Sequence, residues 1–361
     1  MKVLHVIARM NVGGTATYLL NLIQGLEKQG VESLLALGRV PSNESEDKRI
    51  ASIKLHRIGT LSRAISPISD LKARRELDKL IKEYKPDVIH THTFKAGLLI
   101  RSKKRQIPII HTFHGHHLYD PDYGSFARLV LNTIERKLAK KSAKILTIGS
   151  RVGEELLAAG IGSREQYRSI APGIAPINKV NREVILEKFL LPKTALNILW
   201  MGRLTRVKRA DRVIELAKRF VGVNFLIAGD GELRALLEKQ APSNLFFLGI
   251  QSPDELFSIA DIVLLTSDSE GMPLTLIEAQ MAALPCLASD VGSVSEIIED
   301  GVTGFISPND IDQLALSLAK LIDDSMLRST MAKAAAIRAK ENFSVEKMVT
   351  SHIQSYQQVI K

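Results

Sequence analysis

The feature that most constrains the fold is a regular alternation of short apolar runs with longer amphipathic segments. Between the first two runs, Ala16, Leu19, Leu20 and Ile23 repeat at the spacing of one helical face. Strands that alternate with helices are typical of parallel sheets covered by helices, so the pattern predicts an α/β protein. The runs of the first half lie at residues 3–8, 32–37, 87–90, 107–112 and 144–148.

The alternation continues beyond a break, which predicts two domains. Residues 171–176 read Ala-Pro-Gly-Ile-Ala-Pro and interrupt the pattern. The chain of 361 residues also exceeds the roughly 250 to 300 at which single cores stop growing. We expect a first domain over 1–172 and a second over 173–343, while the amphipathic segment 344–361 needs a surface to cover. A helix near 183–189 precedes strand-like runs at 198–201, 223–228, 245–248, 261–265 and 285–288.

Several features favour a cytoplasmic protein. No apolar stretch approaches the ~20 residues that a membrane span needs. Arg9, Asn11 and the following glycines stand where a signal peptide would stay apolar, so we interpret residues 1–8 as a strand. The single cysteine, Cys286, has no partner for an intramolecular disulfide, which suits a reducing compartment. Its apolar neighbours indicate a buried core residue.

The positive charge is concentrated in the first half. Residues 1–180 carry 30 Lys and Arg against 16 Asp and Glu, whereas the remainder carries 19 against 23. Basic clusters at 101–105 and 136–141 suit an anionic membrane surface, although solvated helix faces would also explain them. No aromatic interleaving or nucleic-acid motif accompanies them, so we expect no nucleic-acid partner.

Loops that follow strands are the expected ligand sites of parallel sheets. Gly13 and Gly14 follow the first strand and lead into a helix. Paired glycines allow the backbone to approach a ligand, and a helix start favours an anion. The segment does not fit the G-x-G-x-x-G fingerprint, and a plain tight turn is the alternative.

Histidines are concentrated after two strands of the first half. Neither the His-x-His pair nor the later group has an established zinc spacing or cysteine support. Asp120 and Asp122 have the spacing of a metal-binding D-x-D, but their neighbours favour an ordinary loop. We expect no bound metal. Six of the nine histidines are His90, His92, His111, His114, His116 and His117.

Two cations follow the strand-like run that ends at Met201. The guanidinium of Arg203 can bind two phosphate oxygens, and Lys208 supplies a compact charge. Together they would neutralise a departing diphosphate without a metal ion. Exposed charges that flank a turn are the alternative explanation.

The strongest motif, residues 267–278, joins a strand end, a glycine, a proline and two glutamates eight apart. If the segment is mostly helical, Glu270 and Glu278 lie about 12 Å apart. Glycoside hydrolases hold their carboxylates about 5 Å or about 6.5 to 9.5 Å apart, so this pair suits the two ends of an elongated ligand such as a nucleotide sugar. Backbone N–H groups would face an anion or hydroxyl there. They belong to the segment Gly271, Met272, Pro273 and Leu274.

These motifs together resemble the retaining GT-B glycosyltransferases of family GT4, over essentially the whole chain. The resemblance implies two Rossmann-like domains whose parallel sheets face each other across a cleft, with the final helix crossing back onto the first domain. Two positions depart from the family pattern: Arg209 stands where many relatives have glycine, and Met272 where the family often has phenylalanine. The matching motifs are Gly13-Gly14, His114 in His-Thr-Phe-His-Gly, Arg203 with Lys208, and Glu270 with Glu278.

The resemblance also implies roles for these residues. Gly14, in the Gly13 loop, contacts the donor phosphates, and Arg203 and Lys208 hold the diphosphate. Glu278 grips the ribose. Glu270 binds hydroxyls of the donor sugar, and the backbone amides of 271–274 assist. His114 lies beside the transferred sugar.

The expected reaction is metal-independent and needs no cofactor. A hexose-type sugar passes, with its anomeric configuration retained, from a nucleotide diphosphate to a glycan or a lipid-linked acceptor. By family frequency the donor is a UDP-sugar, and the residues leave GDP- and ADP-sugars open. The departing phosphate takes the acceptor proton, and the enzyme works in the cytoplasm, peripherally on the inner face of the membrane.

Two other functions remain open at this point. A GT-B sugar-nucleotide epimerase would change the donor without an acceptor. A non-catalytic partner protein would keep the fold alone, although the intact charges of Arg203, Lys208, Glu270 and Glu278 argue against it.

Overall fold

The computed structural model describes residues 1–41, 44–115 and 124–360, which form two compact units. The first comprises Met1–Gly173 together with Val345–Lys361, and the second comprises Ile174–Ser344. The first division falls within the proline- and glycine-containing segment 171–176. At the ends of the second unit, the N–H of Ile174 donates to the carbonyl of Phe343 at 2.8 Å.

The first unit contains a seven-stranded parallel sheet. Its strand order is β3-β2-β1-β4-β5-β6-β7, so the direction of winding reverses between β1 and β4. All residues of β4 and β5 are buried, as both-face coverage by helices requires. The strands are β1 (Lys2–Ile7), β2 (Glu32–Leu37), β3 (Leu55–Arg57), β4 (Val88–His92), β5 (Ile109–Phe113), β6 (Lys144–Thr147) and β7 (Tyr167–Ser169).

Six α-helices cover this sheet in the described residues. The third of them, α3, packs against both α2 and α4. Short 3-10 turns lie at Lys48–Ser52 and Arg164–Gln166. The helices are α1 (Gly14–Lys28), α2 (Pro67–Tyr84), α3 (Thr93–Arg101), α4 (Ser125–Ala139), α5 (Ser150–Ala158) and, from the end of the chain, α14 (Val345–Gln357).

The last helix returns to the first unit, as the resemblance predicts. It packs against α1, where a Cβ on Gly25 would lie 2.4 Å from a methyl group of Val349. Glycine at this position therefore allows the two helices to approach closely. Met348 and Val349 are buried, so the apolar face of the segment is covered by the first unit.

The second unit contains a six-stranded parallel sheet of order β10-β9-β8-β11-β12-β13, which reverses between β8 and β11. Its strands are β8 (Asn197–Met201), β9 (Asn224–Ala228), β10 (Leu245–Gly249), β11 (Ile262–Leu265), β12 (Cys286–Ser289) and β13 (Gly304–Ser307). Its helices are α6 (Arg182–Lys188), α7 (Ala210–Arg219), α8 (Arg234–Glu238), α9 (Pro253–Ile259), α10 (Leu274–Met281), α11 (Val294–Ile297), α12 (Ile311–Asp323) and α13 (Ser325–Asn342). A 3-10 turn lies at Arg206–Lys208.

The prediction of two α/β domains with parallel sheets is confirmed, and the ten predicted strands lie within two residues of observed ones. The sequence pattern missed β3, β7 and β13. Each is only three or four residues long, and β3, β7 and β13 all lie at sheet edges. The three residues of β3 and of β7 are too few to show a strand period, and β13 contains only two apolar residues, Phe305 and Ile306. Cys286 is buried in β12, which raises the pKa of its thiol.

The prediction of a basic surface at residues 101–105 is wrong. Arg101 is fully buried and pairs with Glu135 at 2.9 Å, and Arg105 pairs with Asp78 at 2.7 Å. Two of the four cations in the cluster 101–105 are therefore neutralised by carboxylates of the same unit. In the cluster 136–141, by contrast, Arg136, Lys137, Lys140 and Lys141 are all exposed. Within the described ranges, no helix combines the length and the apolar character needed to cross a bilayer.

The backbone conformation of Arg209 explains why many relatives have glycine at this position. It precedes α7 in the left-handed conformation, with φ 52° and ψ 46°. Its guanidinium lies 2.8 Å from Asp211 and 3.1 Å from Asp268, and hydrogen bonding to Asp211 raises the pKa of Arg209. These contacts offset the steric cost of the left-handed backbone.

We expect Arg209→Gly to be more stable than Arg209→Ala by about 1 kcal/mol, because both variants lose the guanidinium contacts and only glycine adopts this backbone without strain. The free energy of unfolding from urea titrations measures the difference. Equal stability of the two variants would show that the backbone of residue 209 is relaxed.

Candidate functional site

The candidate residues of the second unit lie at the point where its sheet reverses. Lys208 follows β8 and Glu270 follows β11, and these two strands are neighbours. Ligands of open parallel sheets bind beyond the carboxyl ends of the strands at such reversals. The strand order therefore places both residues where a ligand is expected.

The structure brings Lys208 and Glu270 into contact. The ammonium of Lys208 donates to Oε1 of Glu270 at 2.6 Å, and the hydroxyl of Ser267 donates to the same oxygen at 2.6 Å. The side chain of Glu270 is only 9% exposed, whereas that of Lys208 is 28% exposed. A nearly enclosed carboxylate thus orients a more accessible cation.

Glycines allow the loops around these residues to pack closely. A Cβ on Gly229, which has φ 137°, would lie 1.9 Å from the carbonyl oxygen of Gly202. A Cβ on Gly292, which has φ 52°, would lie 2.1 Å from the carbonyl oxygen of Glu270. Side chains at these two positions would push apart the loops that follow β8, β9, β11 and β12.

A second charged group supports the segment that leads to Glu270. Asp268 lies 2.9 Å from Arg212 and 3.1 Å from Arg209, and it accepts from the amide of Asn309 at 2.8 Å. Burial alone would raise the pKa of Asp268, but the hydrogen bond from Asn309 and the two guanidinium groups outweigh it and lower the pKa. The backbone before Glu270 is therefore held by an ionised carboxylate.

The segment between the two glutamates is helical only in its second part. Helix α10 begins at Leu274, so Gly271, Met272 and Pro273 form a loop, and the 12 Å estimate for a mostly helical segment does not apply. Pro273 has no N–H to offer a ligand, and Met272 is buried. The carbonyl of Gly271 accepts from the N–H of Ser293 at 2.8 Å.

The remaining two residues of this half occupy different environments. Glu278 lies on α10 and is half-buried. Arg203 is exposed, and its guanidinium makes no ion pair or hydrogen bond with any residue that the structure describes. Arg203 is thus an accessible cation on the loop that also contains Lys208.

In the first unit, Gly13 and Gly14 form the start of α1. Gly13 precedes the helix with φ 149°, and Gly14 is its first residue. A Cβ on Gly13 would meet nothing within 4 Å, so backbone conformation rather than space requires glycine there. The first helical turn carries no acidic side chain, which leaves its positive end available to an anion.

His114 follows β5 in the same unit. Its Nε2 lies 3.2 Å from Nδ1 of His92, and its ring meets the ring of Tyr18 edge-on at 4.7 Å between centroids. Burial, with a smaller contribution from His352, lowers the pKa of His114 to about 3. The imidazole is therefore neutral at physiological pH.

His114 is the outermost member of a buried polar cluster that the sequence analysis did not identify. Strand register places His5 opposite His90 and Thr112 beside His92 on one face of the sheet, and helices cover that face. The signal in the sequence is a period of two, in His90-x-His92 and Thr112-x-His114. The histidine cluster, as we name it, comprises His5, Tyr18, His90, His92, Thr112, His114, His352 and Tyr356.

His111 does not belong to the histidine cluster. His111 points to the opposite face, where its Nδ1 lies 2.8 Å from Oγ1 of Thr91. His116, His117, Asp120 and Asp122 lie outside the described residues.

Three members of the histidine cluster also form a set of potential metal ligands. One nitrogen from each of His5, His90 and His92 lies within 4.8 Å of the others. Both nitrogens of His90 already have partners, however, in Tyr356 at 2.8 Å and Thr112 at 2.6 Å. The residues present are thus better described by hydrogen bonds than by metal coordination.

Two family models of glycosyltransferases match most of the chain. Residues 12–176 match the family model described as glycosyltransferase family 4, and residues 181–338 match that described as glycosyl transferases group 1. The chain is 28% identical over 320 residues to the UDP-Gal:alpha-D-GlcNAc-diphosphoundecaprenol alpha-1,3-galactosyltransferase of Escherichia coli, with 82% of each chain covered. It is 26% identical over 283 residues to the O-antigen biosynthesis glycosyltransferase WbnH of Escherichia coli, covering 77% and 78%.

Solved structures extend the similarity to the whole chain. HepE of Anabaena, solved in complex with UDP and glucose, has a TM-score of 0.84 at 19% identity, with 99% of this chain and 100% of that one covered. Sucrose-phosphate synthase of Thermosynechococcus elongatus has a TM-score of 0.85 at 18% identity, with 99% and 98% covered. The shared architecture shows the GT-B fold. The two family matches show that this chain belongs to the group 1 glycosyltransferases of family 4.

Proposed function

We propose that this glycosyltransferase moves a hexose from a UDP-sugar to a glycan or lipid-linked acceptor in cell-surface polysaccharide synthesis, with retention of the anomeric configuration. The observation that carries the proposal is the contact of Lys208 with Glu270 at the strand reversal. The loop of Lys208 also contains Arg203, an exposed cation with no partner among the described residues. The galactosyltransferase relative uses UDP-Gal, and HepE binds UDP and glucose, which supports a UDP-sugar donor.

Lys208 and Arg203 would stabilise the leaving diphosphate. Negative charge develops on this group as the bond to the sugar breaks, and fixed cations that face it lower the barrier. Glu270 orients the ammonium of Lys208 and, by family analogy, binds hydroxyls of the donor sugar. Glu278 would hold the ribose, and the loop amides of Gly271, Met272 and Leu274 would assist.

The reaction as proposed needs neither a metal ion nor a protein nucleophile. The two cations supply the positive charge that a metal would otherwise provide, and the departing phosphate accepts the proton of the acceptor hydroxyl. Gly13 and Gly14 at the start of α1 would contact the phosphates, as the family resemblance implies. His114 would lie beside the transferred sugar.

We further propose that the first unit docks on an anionic phospholipid surface, where a lipid-linked acceptor would be found. Phe126 and Val130 on α4 share an exposed helical face with Lys137, and Phe126 is 79% exposed. On α2, Ile68 is 74% exposed and lies one turn from the exposed Lys72. Apolar and basic side chains together are suited to anionic lipid, and they favour a peripheral location on the inner face of the membrane.

We expect Arg203→Ala, Lys208→Ala and Glu270→Ala each to lower kcat/KM for transfer by about 10²- to 10³-fold, because each removes a charge that stabilises the leaving group or holds the donor. A nucleotide-release assay with a panel of UDP-sugars measures the loss. Arg206→Ala is the matched control, since Arg206 is an exposed cation of the same loop, and its activity should stay close to the wild type. Near-wild-type turnover in all three test variants would refute this site.

The product of a UDP-α-sugar should be α-linked, because retention places the acceptor on the face that the diphosphate leaves. NMR of the anomeric proton reports the linkage, and the rate should be unchanged by EDTA. A β-linked product would contradict retention, and loss of the rate on chelation would contradict metal independence. Epimerised donor formed without an acceptor would identify an epimerase instead.

Vesicles that contain anionic phospholipid should sediment the full chain at low salt and less of it at high salt. Leu129, on α4 near Phe126, is 59% exposed. Replacement of Phe126 and Leu129 together by serine should weaken binding about tenfold or more, since each loses apolar surface that would be buried in lipid. Replacement of Val221 and Leu236, two exposed apolar residues of the second unit, is the matched control. No sedimentation at either salt concentration would rule out the docking surface.

A further inference from the structure

The histidine cluster carries an ordered set of protons that can be deduced from its contacts. Burial lowers the pKa of His5 to about 3 and those of His90 and His92 well below their usual value, with neighbouring histidines adding to the effect. Each ring is therefore neutral. A neutral imidazole has one N–H donor and one acceptor nitrogen, so each contact constrains the next.

The outer part of the cluster has a direction set by the backbone. The carbonyl of Met348 can only accept, so the Nδ1 of His352, at 2.8 Å, carries the proton. Its Nε2 then accepts from the hydroxyl of Tyr18 at 2.8 Å. The proton of the Tyr18 hydroxyl is therefore directed toward His352.

Both nitrogens of His90 are also paired. The Nε2 of His90 lies 2.6 Å from Oγ1 of Thr112, and its Nδ1 lies 2.8 Å from the hydroxyl of Tyr356. Each hydroxyl can donate or accept, so these two contacts allow either tautomer of His90. They leave no free nitrogen on His90 for the inner part of the cluster.

The inner part, from His5 through His92 to His114, allows two orders. The Nδ1 of His5 lies 3.3 Å from Nε2 of His92, and Nδ1 of His92 lies 3.2 Å from Nε2 of His114. At the inner end, Nε2 of His5 is enclosed and has no hydrogen-bond partner among the described residues. One order would place a proton on that nitrogen, and the other would leave a lone pair there.

The enclosed nitrogen of His5, at the end of this series of hydrogen bonds, decides between the two proton orders. Buried N–H groups without an acceptor are rarer in proteins than acceptors that lack a donor. A lone pair at Nε2 of His5 puts its proton on Nδ1, which donates to His92. The Nδ1 of His92 then carries its own proton and donates to Nε2 of His114.

We propose that His92, backed by His5, is a positioning residue that holds His114 in the tautomer with its proton on Nδ1. The inference rests on the proposed function for the location of His114 beside the transferred sugar. In this tautomer His114 offers the sugar an N–H donor and has no free nitrogen with which to take a proton. It therefore acts as a hydrogen-bond donor, consistent with proton transfer to the departing phosphate.

The first test needs no variant. Nitrogen-15 NMR of the full chain with labelled histidine reports which nitrogen of each ring carries the proton. We expect His114 and His5 to carry the proton on Nδ1. His352, whose Nδ1 proton is fixed by the carbonyl of Met348, is the internal reference. A proton on Nε2 of His114 in the wild type would overturn the proposal.

A matched pair of substitutions tests the role of His92 in the reaction. In His92→Asn the amide lies near the position of Nδ1 and can still donate to His114, whereas in His92→Gln it lies near the position of Nε2. We expect the asparagine variant to keep the tautomer of His114 and most of kcat. The glutamine variant should lose the tautomer, with kcat about tenfold lower and a smaller change in KM.

His111→Asn is the control for the loss of a buried histidine, because His111 lies on the opposite face of the same sheet. Its tautomer pattern at His114 and its kcat should match the wild type. Equal kcat in the two His92 variants would reduce His92 to a packing residue. Stoichiometric Zn²⁺ whose removal shifts the signals of His5, His90 and His92 would replace the proposal with a metal site.

The two proposals fail separately. The predicted tautomer without transfer from any nucleotide sugar would leave the proton order intact and refute the proposed function. Transfer activity in a protein whose His114 has the opposite tautomer would support the proposed function and refute the proton order.

Discussion

Parallel strand pairing is the constraint on which the candidate site depends. All strands of each sheet run in the same direction, so their carboxyl ends lie along one edge of that sheet. The loops after β1 and β5 supply Gly13 and His114, and the loops after β8 and β11 supply Lys208 and Glu270. In the second sheet these two loops flank the reversal of strand order, which makes a 2.6 Å contact possible between residues 62 positions apart.

Strand pairing also brings polar side chains together inside the core of the first unit. Burial of five histidines on and above one sheet face would be costly if their nitrogens were left unpaired. Helix α14 removes most of that cost, because His352 and Tyr356 complete hydrogen bonds that begin on α1 and β4. The last helix is therefore part of the first unit for polar as well as apolar reasons. Its absence would remove the partner of the Tyr18 hydroxyl and the partner of Nδ1 of His90.

The sequence predicted much of the fold because long elements have a clear period. Central strands of four or more residues and the amphipathic final helix were identified, whereas the short edge strands β3 and β7 were not. Arg101 shows a different kind of failure. Its basic neighbours suggested a surface cluster, but its partner Glu135 lies 34 residues away, and no local pattern reveals such a pair.

The amino-acid sequence alone determined the α/β class, the parallel sheets and the residue types present in each loop, since these depend on local period and composition. Only the tertiary structure decided which loops meet. It placed Lys208 against Glu270, aligned His5 with His92 and His114, and showed that Arg209 occupies a left-handed backbone. The reason is physical: such contacts follow from strand order and register, which arise from packing of the whole sheet and not from neighbouring residues in the chain.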